Sequence, residues 1–105
     1  MQSRSFLDAL EAQATAIRAS HSGITVAFTR GPDDREKISA WLEVTGDQAL
    51  GQVTVWSSGE CEIEADDSDG SILLRRTLFL QSPDDLESAV RELARLLASG
   101  YERVV

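Results

Sequence analysis

The middle of the chain alternates between apolar and polar side chains, which is typical of β-strands with one buried face. Between Leu50 and Glu64, every second position is apolar, and these positions hold Val53, Val55, Cys61 and Ile63. Ser58 and Gly59 are turn-forming residues near the centre of this run. The pattern predicts two strands joined by a tight turn, and the other elements are expected to be arranged around them.

Segments with the apolar spacing of amphipathic helices lie on both sides of the strands. The residues from Ser5 to Asp8 have the form of a capping box, and an apolar stripe follows at Phe6, Leu10, Ala14 and Ile17. Ser82-Pro83-Asp84-Asp85 combines an N-cap serine, a proline at the first helical position and acids in the first turn. Gly100 has the position of a C-terminal cap. We expect helices near residues 5–20 and 83–99.

Five strand candidates lie between these helices, at about residues 24–29, 35–45 and 71–80 and in the two halves of the central run. Short connections permit only hairpins between them, and each helix must bury its apolar stripe. The sequence therefore predicts an α+β fold with a five-stranded, mainly antiparallel meander and both helices on one face. Residues 1–105 are expected to form a single domain.

Strand parity places two indoles and several carboxylates on the face opposite the aliphatic residues. The candidate partner-binding residues on this face are Trp41, Glu43, Trp56, Glu62 and Glu64. A shift of one residue would move an aliphatic set into water, so the indoles share a face in every acceptable register. They either stabilise the sheet as a cross-strand pair, with a helix as a possible shield, or remain available for a partner.

The most compact register sets Leu42 against Val55, and it places Trp41 directly across from Trp56. A three-residue loop over residues 58–60 would then place Glu62 opposite Trp56 and Glu64 opposite Thr54.

The fifth strand does not alternate cleanly. Arg75 is expected near Glu62, with Ile72 and Leu74 facing inward. Arg76 would then also face inward, whereas Leu73 and Phe79 would face outward. We therefore expect a bulge near Arg75 and Arg76, or a face that is partly covered.

The chain offers little that points to catalysis or metal binding. Asp66-Asp67-Ser68-Asp69-Gly70 fails as a calcium loop, because Ala65 and Arg76 would occupy its first and last ligand positions. His21 is the only histidine, and no partner at a metal or catalytic spacing accompanies it. Cys61 is expected to be a small core residue. We expect a protein that is not an enzyme and that has no cofactor and no metal.

Charge narrows the range of partners. Eighteen acidic and ten basic residues give a net charge of −8, so nucleic acid and anionic membranes are unfavourable ligands. A basic protein would be attracted. The N-terminus has no apolar run of the kind that a signal peptide or a membrane span requires, and a cytoplasmic protein is expected.

The run from Gly51 to Glu64, followed by an acidic turn, a strand, Ser82-Pro83-Asp84-Asp85-Leu86 and a leucine-rich helix, resembles the TriTu immunity proteins of bacterial toxin systems. The resemblance covers roughly the second half of the chain. It implies a small bacterial protein that neutralises a cognate toxin, as in contact-dependent inhibition, with elongation factor Tu as a further possible partner. Together with the charge, it favours a basic toxin domain that acts on nucleic acid.

A small acidic secretion chaperone that binds an effector protein is the alternative. Such chaperones have a similar size and charge, but they usually place a helix after three strands. Here five strand candidates follow one another without an intervening helix.

Overall fold

The five strands lie side by side in the order in which they occur in the chain, and each is antiparallel to its neighbours. The computed structural model describes residues 5–20, 23–32 and 36–98. Its elements are α1 (Phe6–Ser20), β1 (Thr25–Arg30), β2 (Ser39–Thr45), β3 (Ala49–Trp56), β4 (Glu60–Asp67), β5 (Ile72–Phe79) and α2 (Pro83–Ala98). The predicted α+β fold, with its antiparallel sheet and two terminal helices, is confirmed.

Side chains near the predicted caps satisfy backbone groups at the start of each helix. At α1, the N–H of Asp8 donates to Ser5 Oγ at 3.0 Å. At α2, which begins at Pro83, the N–H of Gln81 donates to Asp85 Oδ2 at 2.8 Å. Both helix starts are therefore as predicted. His21 and Gly100 lie outside the described residues.

β2 is shorter than the sequence indicated, because it begins at Ser39 rather than near residue 35. The N–H of Gly31, the residue after β1, donates to the carbonyl of Ser39 at 2.8 Å. The preceding residue, Ile38, instead bonds to the turn between β3 and β4: its carbonyl accepts from the N–H of Ser57 at 2.8 Å.

Two predicted registers are wrong by two residues, although the facing of the side chains is right. Leu42 lies opposite Val53 and not Val55. The cause is a tight turn after β2, in which the N–H of Gly46 donates to the carbonyl of Ala49 at 2.8 Å. An even shift preserves parity, so the aliphatic residues of both strands still share the buried face.

The loop between β3 and β4 begins one residue earlier than expected, at Ser57. The N–H of Gly59 donates to the carbonyl of Trp56 at 2.9 Å, and Gly59 has a φ of 104°, which favours glycine. Glu62 therefore lies opposite Thr54 and not Trp56, while Glu64 lies opposite Gln52.

The core lies between the helices and one face of the sheet. Its largest fully buried side chains are Leu10, Leu42, Ile63, Leu86 and Leu93, together with Val44, Val53, Val55, Val90 and Cys61. Gly51 lets α2 approach the sheet, since a Cβ at this position would lie 2.8 Å from Leu93 Cδ1. Cys61 is a core residue, as predicted.

The irregularity in β5 lies nearer its start than predicted. The β4–β5 register shifts between Ala65 and Asp66, so that Ala65 lies opposite Leu74 and Asp66 lies opposite Ile72. This bulge turns Ile72 away from the helices, and its predicted inward orientation is wrong. Arg76 does lie on the helix side, where Nη1 contacts Glu92 Oε1 at 2.7 Å.

Candidate functional site

One face of the sheet is covered by neither helix, and we call it the open face. It consists of the strand side chains that alternate with the buried ones. On the four strands that carry its charged and large side chains, these are Ser39, Trp41, Glu43, Thr45, Leu50, Gln52, Thr54, Trp56, Glu60, Glu62, Glu64, Asp66, Ile72, Arg75, Thr77 and Phe79. All five residues predicted to bind a partner lie on this face.

The two indoles are diagonal neighbours and do not form the predicted direct pair. Trp41 lies opposite Thr54, and Trp56 lies opposite Ser39. Diagonal positions of an antiparallel pair are about 7–8 Å apart, which is within reach of aromatic side chains. Both indoles are half-buried although no helix covers them. Gly31, which follows β1, lies close to the indole of Trp41. A Cβ added at Gly31 would lie 3.5 Å from Trp41 Cζ3.

Four acidic residues of the open face occupy alternate positions along β4, and three of them have a cation beside them. Lys37 Nζ lies 2.5 Å from Glu60 Oε1, and hydrogen bonds from Lys37 and then Ser58 lower the pKa of Glu60. Arg75 Nη1 lies 3.5 Å from Glu64 Oε1 and 3.2 Å from Asp66 Oδ1. Arg75 was expected near Glu62, but it lies opposite Glu64, two residues further along β4.

Glu43 and Glu62 are the acids of the open face that make no ion pair with any described residue. Glu62 is exposed between Thr54 and Thr77, whose side chains are small and uncharged. Glu43 is exposed between Ala27 and Gln52. These two carboxylates are available to a cationic partner.

Three large apolar side chains are also exposed on the open face. Leu50, Ile72 and Phe79 retain 53%, 64% and 71% of their accessible surface. Sequence reasoning placed Phe79 outward, but it missed Leu50 and placed Ile72 inward. The parity of Leu50 with Gln52 and Thr54 could have identified it, whereas the orientation of Ile72 depends on the bulge.

Within the described residues, neither the cysteine nor any group of metal-binding side chains indicates a reactive centre. Burial, with a smaller effect from Glu62, raises the pKa of the Cys61 thiol to about 11, so the side chain is neutral and inert. Across residues 5–20, 23–32 and 36–98, no three His, Cys, Asp or Glu side chains are grouped to hold a metal ion. No helix in this part of the chain is long and apolar enough to span a membrane.

The fold and the open face define a class of small α+β proteins in which two helices cover one side of an antiparallel sheet and leave the other side accessible. The family model described as immunity protein TriTu matches residues 9–96. The chain therefore belongs to the TriTu family of immunity proteins. None of the curated proteins compared with the chain matches it. Membership of this family implies a toxin protein as the partner.

Proposed function

We propose that this protein binds its cognate toxin domain through the open face, and that it neutralises the toxin without catalysing a reaction. The family supports the class of partner. The observation that carries the choice of surface is that Leu50, Ile72 and Phe79 are exposed on the same uncovered face as the two indoles. Leu50 and Ile72 lie at the starts of β3 and β5, and Trp56 and Phe79 lie at the ends of the same strands, so apolar surface is exposed at both ends of this face. Exposed apolar and aromatic surface of this kind marks protein interaction sites. The proposed contact residues are Trp41, Glu43, Trp56, Glu62 and Glu64.

We further propose that the toxin is a basic domain that cleaves nucleic acid, and that binding blocks its active site or its access to substrate. A groove that binds phosphates is cationic, and this protein carries a net charge of −8. Glu43 and Glu62 can receive cations without breaking an ion pair within the described part of this protein. Association is then expected to slow as the salt concentration rises.

The setting that fits this proposal is the cytoplasm of a bacterium with a contact-dependent inhibition system, where such a toxin meets its substrate. Elongation factor Tu is proposed as a third component on the family resemblance alone. Adding purified factor to the toxin–immunity complex and measuring co-elution tests this point. The proposal includes no cofactor, nucleic acid or membrane.

Co-expression with a toxin tests the proposal most directly. The reading frame beside the gene is expected to encode the C-terminal toxin domain of a large secreted protein. Growth inhibited by that domain should be restored by this protein, and the two purified proteins should bind. Absence of both rescue and binding would overturn the proposal, while binding to a neighbouring secretion effector would favour a chaperone.

Replacing Trp56 with alanine should weaken toxin binding by about 2 kcal/mol, roughly thirtyfold in Kd, because indoles are frequent interface hot spots. The free energy of unfolding should fall less, since Trp56 is only half-buried. Calorimetric titration and urea denaturation measure the two effects.

Leu86→Ala is the control for this substitution, because Leu86 is fully buried on the helix side. It should cost about 2–5 kcal/mol of stability and leave the affinity of the folded protein unchanged. If Trp56→Ala behaves like this control, Trp56 stabilises the sheet and does not contact the toxin.

A further inference from the structure

The two edges of the sheet are protected to different degrees. At β1, Arg18 Nη2 of α1 donates to the backbone carbonyl of Val26 at 3.0 Å. Arg30 Nη2 also contacts Asp8 Oδ1 of α1 at 2.6 Å. Helix α1 is thus tied to the β1 edge. At the other edge, five of the eight β5 residues are exposed.

The hydrogen bond at the end of β5 determines which backbone groups face this open edge. The N–H of Leu80 donates to the carbonyl of Gly59 at 2.8 Å. Bonded and non-bonded pairs alternate along an antiparallel ladder, so the pair of Phe79 with Glu60 is non-bonded. The N–H and C=O groups of Arg75, Thr77 and Phe79 therefore point away from β4. Such a row is a template for another strand.

The helix side of β5 has space for the side chains of an added strand. One groove there is lined by Leu73, Leu74 and Leu96, together with Glu92 and Arg95. A second groove is lined by Leu78, Asp85, Ser88 and Ala89 among others. The ion pair between Arg76 and Glu92 separates the two. Apolar side chains that alternate along a partner strand would enter these grooves.

The opposite side of β5 favours positive charge in the partner. Thr77 lies between Glu62 and the open edge. A lysine or arginine placed beside Thr77 could extend across this short side chain to Glu62, which has no ion pair with a described residue. A second copy of this protein would instead bring two chains of net charge −8 together.

We propose that the toxin adds a strand to β5 and extends the sheet, with apolar side chains toward α2 and basic side chains toward the open face. This recognition mode combines backbone hydrogen bonds, which supply affinity, with alternate side-chain contacts, which supply specificity. The inference rests on the proposed function, since the partner strand belongs to the toxin domain encoded beside the gene.

Hydrogen exchange on the unmodified proteins tests the added strand. In the complex with that toxin domain, the amides of Arg75, Thr77 and Phe79 should exchange at least tenfold more slowly than in the free protein. The amides of Arg76 and Leu78 point toward β4 and should already be protected.

A substitution at Thr77 provides a second test. Thr77→Pro removes an N–H that faces the edge and is not needed in the sheet, so the fold should be kept. It should weaken toxin binding roughly tenfold or more, because it removes a hydrogen bond and obstructs the added strand. The matched control is Thr77→Val, which keeps the N–H and the shape of the side chain and should bind within about twofold of the original.

The outcomes separate this inference from the function on which it rests. Toxin binding with no slowing at the three amides, or with equal affinity for the two variants, overturns the strand addition and leaves the immunity function standing. Absence of any binding overturns both. A dimer in sedimentation that protects these amides without toxin assigns the edge to a second copy and also overturns the inference.

Discussion

At the scale of single residues, burial determines the chemistry of Cys61. The thiol lies on the buried face of β4, opposite Val55 on one side and Leu78 on the other. An ionised sulfur would lose its hydration there, and its pKa is raised accordingly. The nearby Glu62 carboxylate acts in the same direction. A cysteine in this position contributes to packing and not to redox chemistry.

The raised pKa predicts how stability depends on pH. The pKa of Cys61 is about 11 in the folded protein, against an ordinary value of 9.0. The contribution of the neutral thiol to the free energy of unfolding is therefore fully present below pH 9.0. It is lost as the pH rises through about 11. Between these values, the unfolding free energy should fall more steeply for the original protein than for Cys61→Ala. Urea denaturation at a series of pH values measures the difference, and parallel curves would contradict the assignment.

At the scale of elements, β5 is an edge strand, which pairs with β4 on one side and with no described strand on the other. Its central arginines both form ion pairs, Arg75 with acids of β4 and Arg76 with Glu92 of α2. Charged side chains on an edge strand hinder pairing between copies of the same protein. Since both pairs are solvent-exposed, their direct contribution to stability is small.

Arg76→Leu should therefore change the unfolding free energy little, because the ion pair is solvent-exposed, while increasing self-association. Arg91→Leu is a matched control, because Arg91 also pairs with a glutamate of α2 but is a residue of α2 and not of β5. Sedimentation velocity at several concentrations should show association for Arg76→Leu and not for the control. Equal self-association of the two variants would mean that the charge of Arg76 does not prevent pairing at the β5 edge.

At the scale of the whole molecule, negative charge is concentrated on the same face as the exposed apolar residues. This arrangement supports long-range attraction of a basic partner and apolar contact after docking. The helix side also carries acids, but there Glu87 and Glu92 are paired with arginines. The effect of removing one negative charge on association with the toxin should therefore depend on where that charge lies, and not only on the net charge.

Glu62→Gln and Glu87→Gln each remove one negative charge, on the open face and on α2 respectively. At low salt, Glu62→Gln should reduce the association rate constant for the toxin on the order of threefold, and Glu87→Gln should change it less. The difference should disappear at high salt because mobile ions screen the attraction. Stopped-flow mixing measures these rates. Equal effects at low salt would indicate that only net charge matters.

The sequence by itself determined the element types, the single antiparallel meander and the face on which each candidate residue lies. These features depend on local signals, namely the two-residue period of strands, the helical stripes and the caps at Ser5 and Ser82. Parity is unchanged by an even shift of register. The shared face of Trp41 and Trp56 was therefore predictable although their pairing was not.

The tertiary structure alone decided the registers, the bulge and the exposure of the edge. The register after Trp56 depends on the turn at Gly59, where a shift of one loop residue moves every later pair by two. Ile72 faces outward because the bulge changes its phase, and Arg76 can lie on the helix side because Glu92 of α2 is there to pair with it. The bulge and the placement of Arg76 depend on contacts between segments distant in sequence, which no local pattern encodes. Each register depends on which of several alternative tight turns the chain adopts, and the turn residues alone do not select one.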